Sequence, residues 1–318
     1  MNPFSRLVKP RFPSVALGLE KGSAAAVSLE RSGPGRYSVR RAAMVSIPDS
    51  ALTPNFDTQN IPDPDAFAAL ITELATGAGL LRERKWSVTL PEAAARSVIV
   101  TMDSAAGARS EQDEVMRWKV ERAFGAPFND MRVSRERIAP DAAGRQRFLT
   151  VGTRWDVLAE YEAVLAKLGW RAGMVLPRQL GEAQWLLASP VMRSLGDTLL
   201  LSSHNEGFTA VLVRGGQPLV IRSVLCEATD YEDELFRLLL FYRDRIANDS
   251  TERVIDAFLL LGTGFRAGRV IEIIRETLGA EARSLDAGDV EPDQRRGPVQ
   301  RLGHARHLAQ LFLPDALH

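Results

Sequence analysis

Three short strands joined by tight turns occur twice in this chain, and that repetition limits its possible folds more than any other feature. The clearer copy is Asp197–Val224, DTLLLSSHNEGFTAVLVRGGQPLVIRSV. Thr198–Ser202 is a near-continuous apolar run, Ser203–Gly207 a polar turn closed by glycine, and Phe208–Arg214 a second strand. Gly215-Gly216 separates it from a third, Gln217–Ser223. A Gly-Gly pair between two β-type runs is a hairpin signal, because both residues reach the positive φ of a primed turn without steric cost. The earlier copy runs Ser14–Leu19, a turn over Glu20–Ser23, Ala24–Glu30, a Pro/Gly turn over Ser32–Gly35, and Arg36–Ile47. Two such units predict a duplicated domain, and 318 residues suit two domains of roughly 100–200 residues each.

Between the copies, Asp49–Pro64 reads as a loop and Asp65–Gly77 as a helix with Phe67, Leu70, Ile71 and Leu74 on one face. Trp86–Leu90 and Arg96–Met102 read as strands. From 103 to 177 the order becomes helix (Ser110–Phe124), hairpin (Met131–Ile138 and Gln146–Thr153), helix (Trp155–Leu168) and strand (Arg171–Leu176), which predicts an α+β insert. A helix over Arg178–Ala188 leads into the second copy. After that copy come an amphipathic helix (Tyr231–Ala247), a buried strand (Val254–Leu261), the turn Gly262-Thr263-Gly264 and a helix from Ala267 to Leu278, stopped by Gly279. The charged stretch beyond reads as a loop, and Val299–Leu313 as a closing amphipathic helix. The expected organisation is a basic arm (1–13), a first lobe (14–102), the insert (103–177), a returning helix (178–196) and a second lobe (197–318).

Forty basic and 40 acidic residues cancel, so nothing in the charge favours nucleic acid as a partner. No apolar run approaches the roughly 18 residues of a membrane-spanning helix, and the basic N-terminus lacks the apolar core and cleavage site of a signal peptide. The single Cys226 excludes an intrachain disulfide and fits a reducing cytoplasm.

Gly262–Gly268, GTGFRAG, sits between a buried strand and a helix, where a phosphate- or nucleoside-binding turn belongs. It misses G-x-G-x-x-G by one residue and has no Walker lysine, so a plain strand-to-helix turn explains it better. Gly22 and Ser23 lie in a turn whose amides suit a phosphate equally well or an ordinary hairpin. His304 and His307 have helical spacing for a shared metal but no carboxylate or thiol near them in sequence, which favours surface histidines. His204 lacks a nucleophile partner, Cys226 reads as an inert core thiol, and the helix macrodipole accounts for the acidic run Glu232–Glu234. No catalytic acid–base pair emerges, and no metal site is expected.

Two triple-strand units, each followed by helix–strand elements, resemble the duplication shared by actin, the heat-shock chaperone ATPases and hexokinase. Within that superfold the chain is similar to the PilM family, the actin-like cytoplasmic proteins of type IV pilus assembly. Leu17-Gly18-Leu19-Glu20-Lys21-Gly22-Ser23 resembles the family's G-[IL]-D-I-G-S-S, Trp86–Pro91 its strand ending in LP, and Leu259–Gly264 its [YF]-L-x-G-G-G near the adenosine. The fold class this implies is α/β: a duplicated actin-like (RNase H-like) two-lobed fold with an α+β insert in the first lobe and a reduced second lobe.

Departures from the family pattern shape the functional expectation. The first-loop aspartate is Glu20, and the second phosphate loop, D-[IL]-G-x-x-x-T in the family, reads Ser202–Thr209 with no acid at its start. Between Val224 and Asp256, where the family carries a small subdomain walling the nucleotide cleft, there is room for one helix of about 17 residues, ~25 Å long. ATP and magnesium are therefore disfavoured as cofactors; were nucleotide bound, Gly22, Ser23, Gly262, Thr263 and Gly264 would line its site. The resemblance instead implies a non-catalytic adaptor of a pilus or secretion platform, cytoplasmic and held at the inner membrane by a partner. That partner would be the N-terminal cytoplasmic peptide of a bitopic membrane protein, bound beside the insert, with Trp86 or Trp118 as an aromatic wall. The alternative is a nucleotide-binding ATPase or sugar-kinase-like enzyme of the same superfold.

Overall fold

The structure, a computed structural model, describes residues 13–289 except 34–35, 104–108, 189, 194, 248–253 and 287–288. The expected closing helix, with His304 and His307, and residues 1–12 of the arm lie outside the described residues.

Strands β1 (Val15–Glu20), β2 (Ser23–Gly33) and β3 (Arg36–Ser46) form an antiparallel meander. Along β1, buried Val15, Leu17 and Leu19 alternate with half-buried neighbours, the period of a sheet that turns one face to a core. Helix α1 (Pro64–Gly77) begins at Asp63, whose carboxylate accepts the amides of Asp65 and Ala66, and Pro64 stands where a helix has no amide bond to lose. Strand β4 (Lys85–Leu90) returns parallel to β1. Then come β5 (Arg96–Met102), α2 (Arg109–Phe124), β6 (Met131–Ile138), β7 (Gln146–Arg154), α3 (Trp155–Lys167) and β8 (Arg171–Pro177), the last parallel to β4.

Helix α4 (Arg178–Ala188) opens the second half, followed by the antiparallel β9 (Asp197–His204), β10 (Gly207–Arg214) and β11 (Gln217–Leu225). Gly215 and Gly216, at φ +56° and +74°, close the β10–β11 hairpin as a Gly-Gly turn should. Helix α5 (Tyr231–Tyr242), β12 (Ile255–Leu261), α6 (Ala267–Leu278) and β13 (Arg283–Leu285) complete the described chain.

The two five-stranded sheets run β3-β2-β1-β4-β8 and β11-β10-β9-β12-β13. Their strand directions match position for position: two antiparallel neighbours, then two parallel ones. The duplication read from the triple-strand units is thus a duplication of topology. Between β11 and β12 the described residues hold a short 3₁₀ turn, the 12-residue α5 and one π-type turn over Arg243–Ala247.

Sheet pairing moves the insert's boundaries. Strand β5, assigned to the first lobe from sequence, pairs with β7 in a separate sheet of order β5-β7-β6. Helix α3 and strand β8, assigned to the insert, belong to the first lobe: α3 packs on α1 and β8 closes the first sheet. A strand's hydrogen-bond partner leaves no mark in its own residues, so spacing cannot decide such membership. Strand β13, read as loop, is a three-residue edge strand with only Leu285 buried, too short for periodicity to reveal.

A continuous core joins the lobes. It includes Leu17, Trp86 and Val88 of the first sheet, Leu180 and Leu186 of α4, and Leu200, Val211 and Leu259 of the second sheet. Helix α4 packs on β4 and β8 on one side and on β9 and β10 on the other. The second sheet's opposite face, with Leu199, Leu201 and Phe258, is covered by α5 and α6. The insert has its own small core of Val100, Met116, Val120, Phe124 and Met131 beneath α2.

Candidate functional site

The two lobes meet at their first hairpins. The β1–β2 turn is Lys21-Gly22, set by the pair Glu20–Ser23; the matching β9–β10 turn is Asn205-Glu206, set by His204–Gly207. The turns close on one another. The Asn205 side-chain amide donates to Lys21 O at 2.6 Å, and the Asn205 backbone amide donates to Glu20 Oε1 at 3.3 Å. Lys21 Nζ lies 4.0 Å from Glu206. Gly22, at φ +84°, brings its backbone so near Asn205 that an added Cβ would lie 3.0 Å from Nδ2. Behind the turns Arg178 of α4 pairs with Glu20 and Glu182, each at 2.9 Å, and donates to Ser203 O at 3.4 Å. Burial opposes the Arg178 charge, but Glu182 and Glu20 hold its pKa above the ordinary arginine value.

The Gly262-Thr263-Gly264 turn converges on the same place from below. Ser203 Oγ donates to Leu261 O at 3.1 Å and accepts the Gly264 amide at 2.9 Å. A Cβ on Gly262, at φ +79°, would strike Ser203, and one on Gly264 would strike Tyr231 and Ser203. Phe265 completes an aromatic cluster with Phe208 and Tyr231, all ring centroids 5.1–5.3 Å apart. The Tyr231 hydroxyl donates to His204 O at 3.0 Å and to Gly207 O. These glycines serve close packing of the chain on itself, and protein atoms already use their surroundings.

Gly22, Gly262 and Gly264 are therefore gathered around one stretch, Ser203–Asn205, while Ser23 stands opposite Glu20 at the base of the first turn and Thr263, like the two glycines beside it, is exposed. The electrostatics there are those of a closed junction. Burial, with Arg178 beside it, pushes the His204 imidazole down to about 4, so the ring is neutral at physiological pH. Its Nδ1 accepts the Glu206 amide at 3.3 Å, while Nε2 is sealed without a partner. Burial raises the Glu206 carboxyl despite Lys21. Cys226 is half-buried and its thiol is raised, first by burial and then by nearby carboxylates, the reverse of nucleophile activation. Among the described residues no group of three or more His, Cys, Asp or Glu is placed to hold a metal ion.

A second feature is a groove of 520 Å³ where the first lobe, the insert and the second lobe meet. Its walls are the Asn55–Asp57 loop, the start of β5, the end of α2 and the last residues of β11. Strands β5 and β11 are each the outermost strand of their sheets and lie beside one another without a ladder between them. Arg96 holds one wall: it pairs with Asp57 at 3.0 Å, stacks 4.0 Å over the Phe56 ring and donates to Phe124 O. Exposed Leu225, half-buried Val98 and buried Phe56 give the groove apolar surface. At its floor Glu92, only 5% exposed, accepts from the Thr209 and Ser223 hydroxyls of the second lobe. Burial pushes its carboxyl up to about 6. Sequence reading missed Glu92; the LP strand end just before it was the available signal.

The expected tryptophan wall is corrected for Trp86. Its ring is fully buried, stacked 4.8 Å from Trp170 with Nε1 donating to Glu83 O, because its strand runs through the middle of the first sheet. Trp118 is 55% exposed on α2 beneath the Arg122 guanidinium, outside the groove lining.

A duplicated 3-2-1-4-5 sheet with two hairpin turns meeting between the lobes is the frame of one superfold, and solved structures match it over nearly the whole chain. The component of a "PilM-PilN type IV pilus biogenesis complex" superposes with a TM-score of 0.68 at 17% identity, covering 95% of this chain and 98% of that one. The chain has an actin-like fold. A Bacteroides thetaiotaomicron protein described as having an actin-like ATPase fold and unknown function matches this actin-like chain with a TM-score of 0.50 at 11% identity, over 95% and 98% of the two chains. No protein-family model and no curated protein sequence matches it. At such identities the similarity is one of actin-like architecture.

Proposed function

We propose that this actin-like chain is a non-catalytic adaptor on the cytoplasmic side of a type IV pilus or related secretion platform. It would bind a short extended peptide of a membrane partner in the groove between β5 and β11. The observation that carries this reading is the pair of unladdered strand edges at a groove of mixed apolar and polar lining, joined by elements of both lobes and the insert. An extended peptide gains main-chain hydrogen bonds from such an edge and specificity from the pockets that receive its alternate side chains. The turn-to-turn junction supports the non-catalytic part: Ser203 Oγ takes up the Gly264 amide, and Glu20 and Glu182 take up the Arg178 guanidinium, so two donors that a phosphate could use are already engaged. The solved actin-like structure from a pilus biogenesis complex supports the setting. No described helix is long and apolar enough to cross a membrane, so attachment through a partner is the route proposed.

The test is a fluorescence titration with the N-terminal cytoplasmic peptide of the membrane protein encoded beside this chain. Leu225→Asp, which places a charge on the apolar wall, should abolish binding, whereas Thr263→Ala in the Gly262–Gly264 turn should leave it intact. The opposite pattern would return the function to the inter-turn junction and remove the adaptor reading.

A further inference from the structure

We propose that Glu92 determines the specificity of the groove, presenting a fixed anionic oxygen that selects a partner segment bearing a lysine or arginine. This rests on the groove being the peptide site. The Thr209 and Ser223 hydroxyls both donate to the same carboxylate oxygen, Oε1. Among the described residues no donor reaches Oε2, and that atom is not sealed from solvent. Glu92 lines the groove although the residue is only 5% exposed, so Oε2 is the carboxylate oxygen left available to a ligand there. A buried carboxylate with one oxygen anchored and the other open is an acceptor oriented before the ligand arrives, which lowers the ordering cost of binding.

The surrounding charges favour a cation. The groups that face Glu92 from α4 are Glu182 and Arg178, and Arg178 is itself held by Glu20 and Glu182 at 2.9 Å each. Three carboxylates thus share one guanidinium. The groove's other arginines do not offset this. Arg96 is committed to Asp57 and Phe124 O. Arg222 neighbours Ser223 on β11, so strand alternation turns its side chain to the opposite face from the hydroxyl that meets Glu92. A neutral peptide would leave the carboxylate with only its share of the Arg178 charge, and an acidic one would add repulsion at low local dielectric.

The experiment selects a displayed library of random short peptides on the full chain, then measures affinities by titration. The expected result is a lysine or arginine shared by the peptides that Leu225→Asp excludes. Changing that residue to glutamine should cost about tenfold in affinity for the wild type and little for Glu92→Gln, the signature of a direct pair in a double-mutant cycle. A second measurement uses the unaltered protein: affinity for the basic peptide should fall as pH drops through 6, where the carboxyl takes up a proton, while the glutamine version stays level. Groove peptides without a basic residue, or an equal penalty on Glu92→Gln, would overturn the assignment of Glu92 and leave the groove standing. Recovery of no peptide, or binding indifferent to Leu225→Asp, would overturn the groove reading and this inference with it.

Discussion

At the residue scale, two buried titratable groups give opposite and separable pH signatures. The carboxyl of Glu92 has a raised folded pKa, about 6 against 4.5, so its protonated form adds stability below 4.5 that is lost as pH rises through 6. The shift corresponds to about 2 kcal/mol at neutral pH. Glu92→Gln keeps an acceptor for Thr209 and Ser223 without the charge. It should therefore raise the unfolding free energy by up to that amount at pH 7.5 and by little at pH 4.5, as read by chemical denaturation. His204 runs the other way. Its folded pKa is depressed to about 4 by burial and Arg178, so stability present above 6.5 is lost as pH falls towards 4. His204→Asn, which retains an acceptor for the Glu206 amide, should flatten the acid limb of the melting-temperature profile. An unchanged acid limb would show that the imidazole is more solvated than its position implies.

At the element scale, the turn between β12 and α6 separates a structural glycine from a dispensable one. Gly264 lies against Tyr231 and Ser203, so Gly264→Ala should destabilise the protein by about 1–3 kcal/mol through overpacking. Gly268, in the first turn of α6, has nothing within 4 Å of an added Cβ, and Gly268→Ala should be neutral or stabilising by a few tenths to ~1 kcal/mol. Equilibrium denaturation of the two variants tests the assignment. A nucleotide-binding role for the whole GTGFRAG stretch would instead show as lost ligand affinity in both. The apolar spacing of Leu235, Leu238, Leu239, Tyr242 and Ile246 made α5 readable; the first four side chains are buried, and Ile246, in the π-type turn that follows, is half-buried. No comparable signal marked β5 as part of the insert, because edge strands and central strands of small sheets draw on the same residues.

At the scale of the whole molecule, the lobes are bolted together by their own side chains. Buried Arg147 of the insert donates to Pro218 O at 2.6 Å and Leu219 O at 3.3 Å on β11. Removing a charged donor from buried carbonyls costs roughly 1.5–3 kcal/mol, so Arg147→Met should lower stability by about that much. It should also speed hydrogen exchange at the β5 and β11 edges. Because Asn205, Lys21 and Glu20 already join the two turns, Mg-ATP should leave the melting temperature unchanged. A ligand of the native state at a hundred times its Kd would add about 2.7 kcal/mol, a shift easily seen in a thermal melt.

The sequence by itself determined the repeated strand–turn–strand–turn–strand units, the Gly215-Gly216 hairpin, the capped helices and the scant chain between β11 and β12. These follow from local rules: glycine's access to positive φ, capping by short polar side chains, and the periods of helix and strand. It also showed that Glu20 and Ser202–Thr209 depart from an acidic phosphate loop. Only the tertiary structure decided that these turns bind each other through Asn205, that Trp86 belongs to the core, and that Glu92 sits at the floor of a groove. Each of those depends on residues far apart in the chain: Asn205 meets Lys21, Trp86 meets Trp170, and Glu92 meets Ser223. Contacts of that reach are set by how the two sheets pack across α4, and no local pattern of residues encodes that distance.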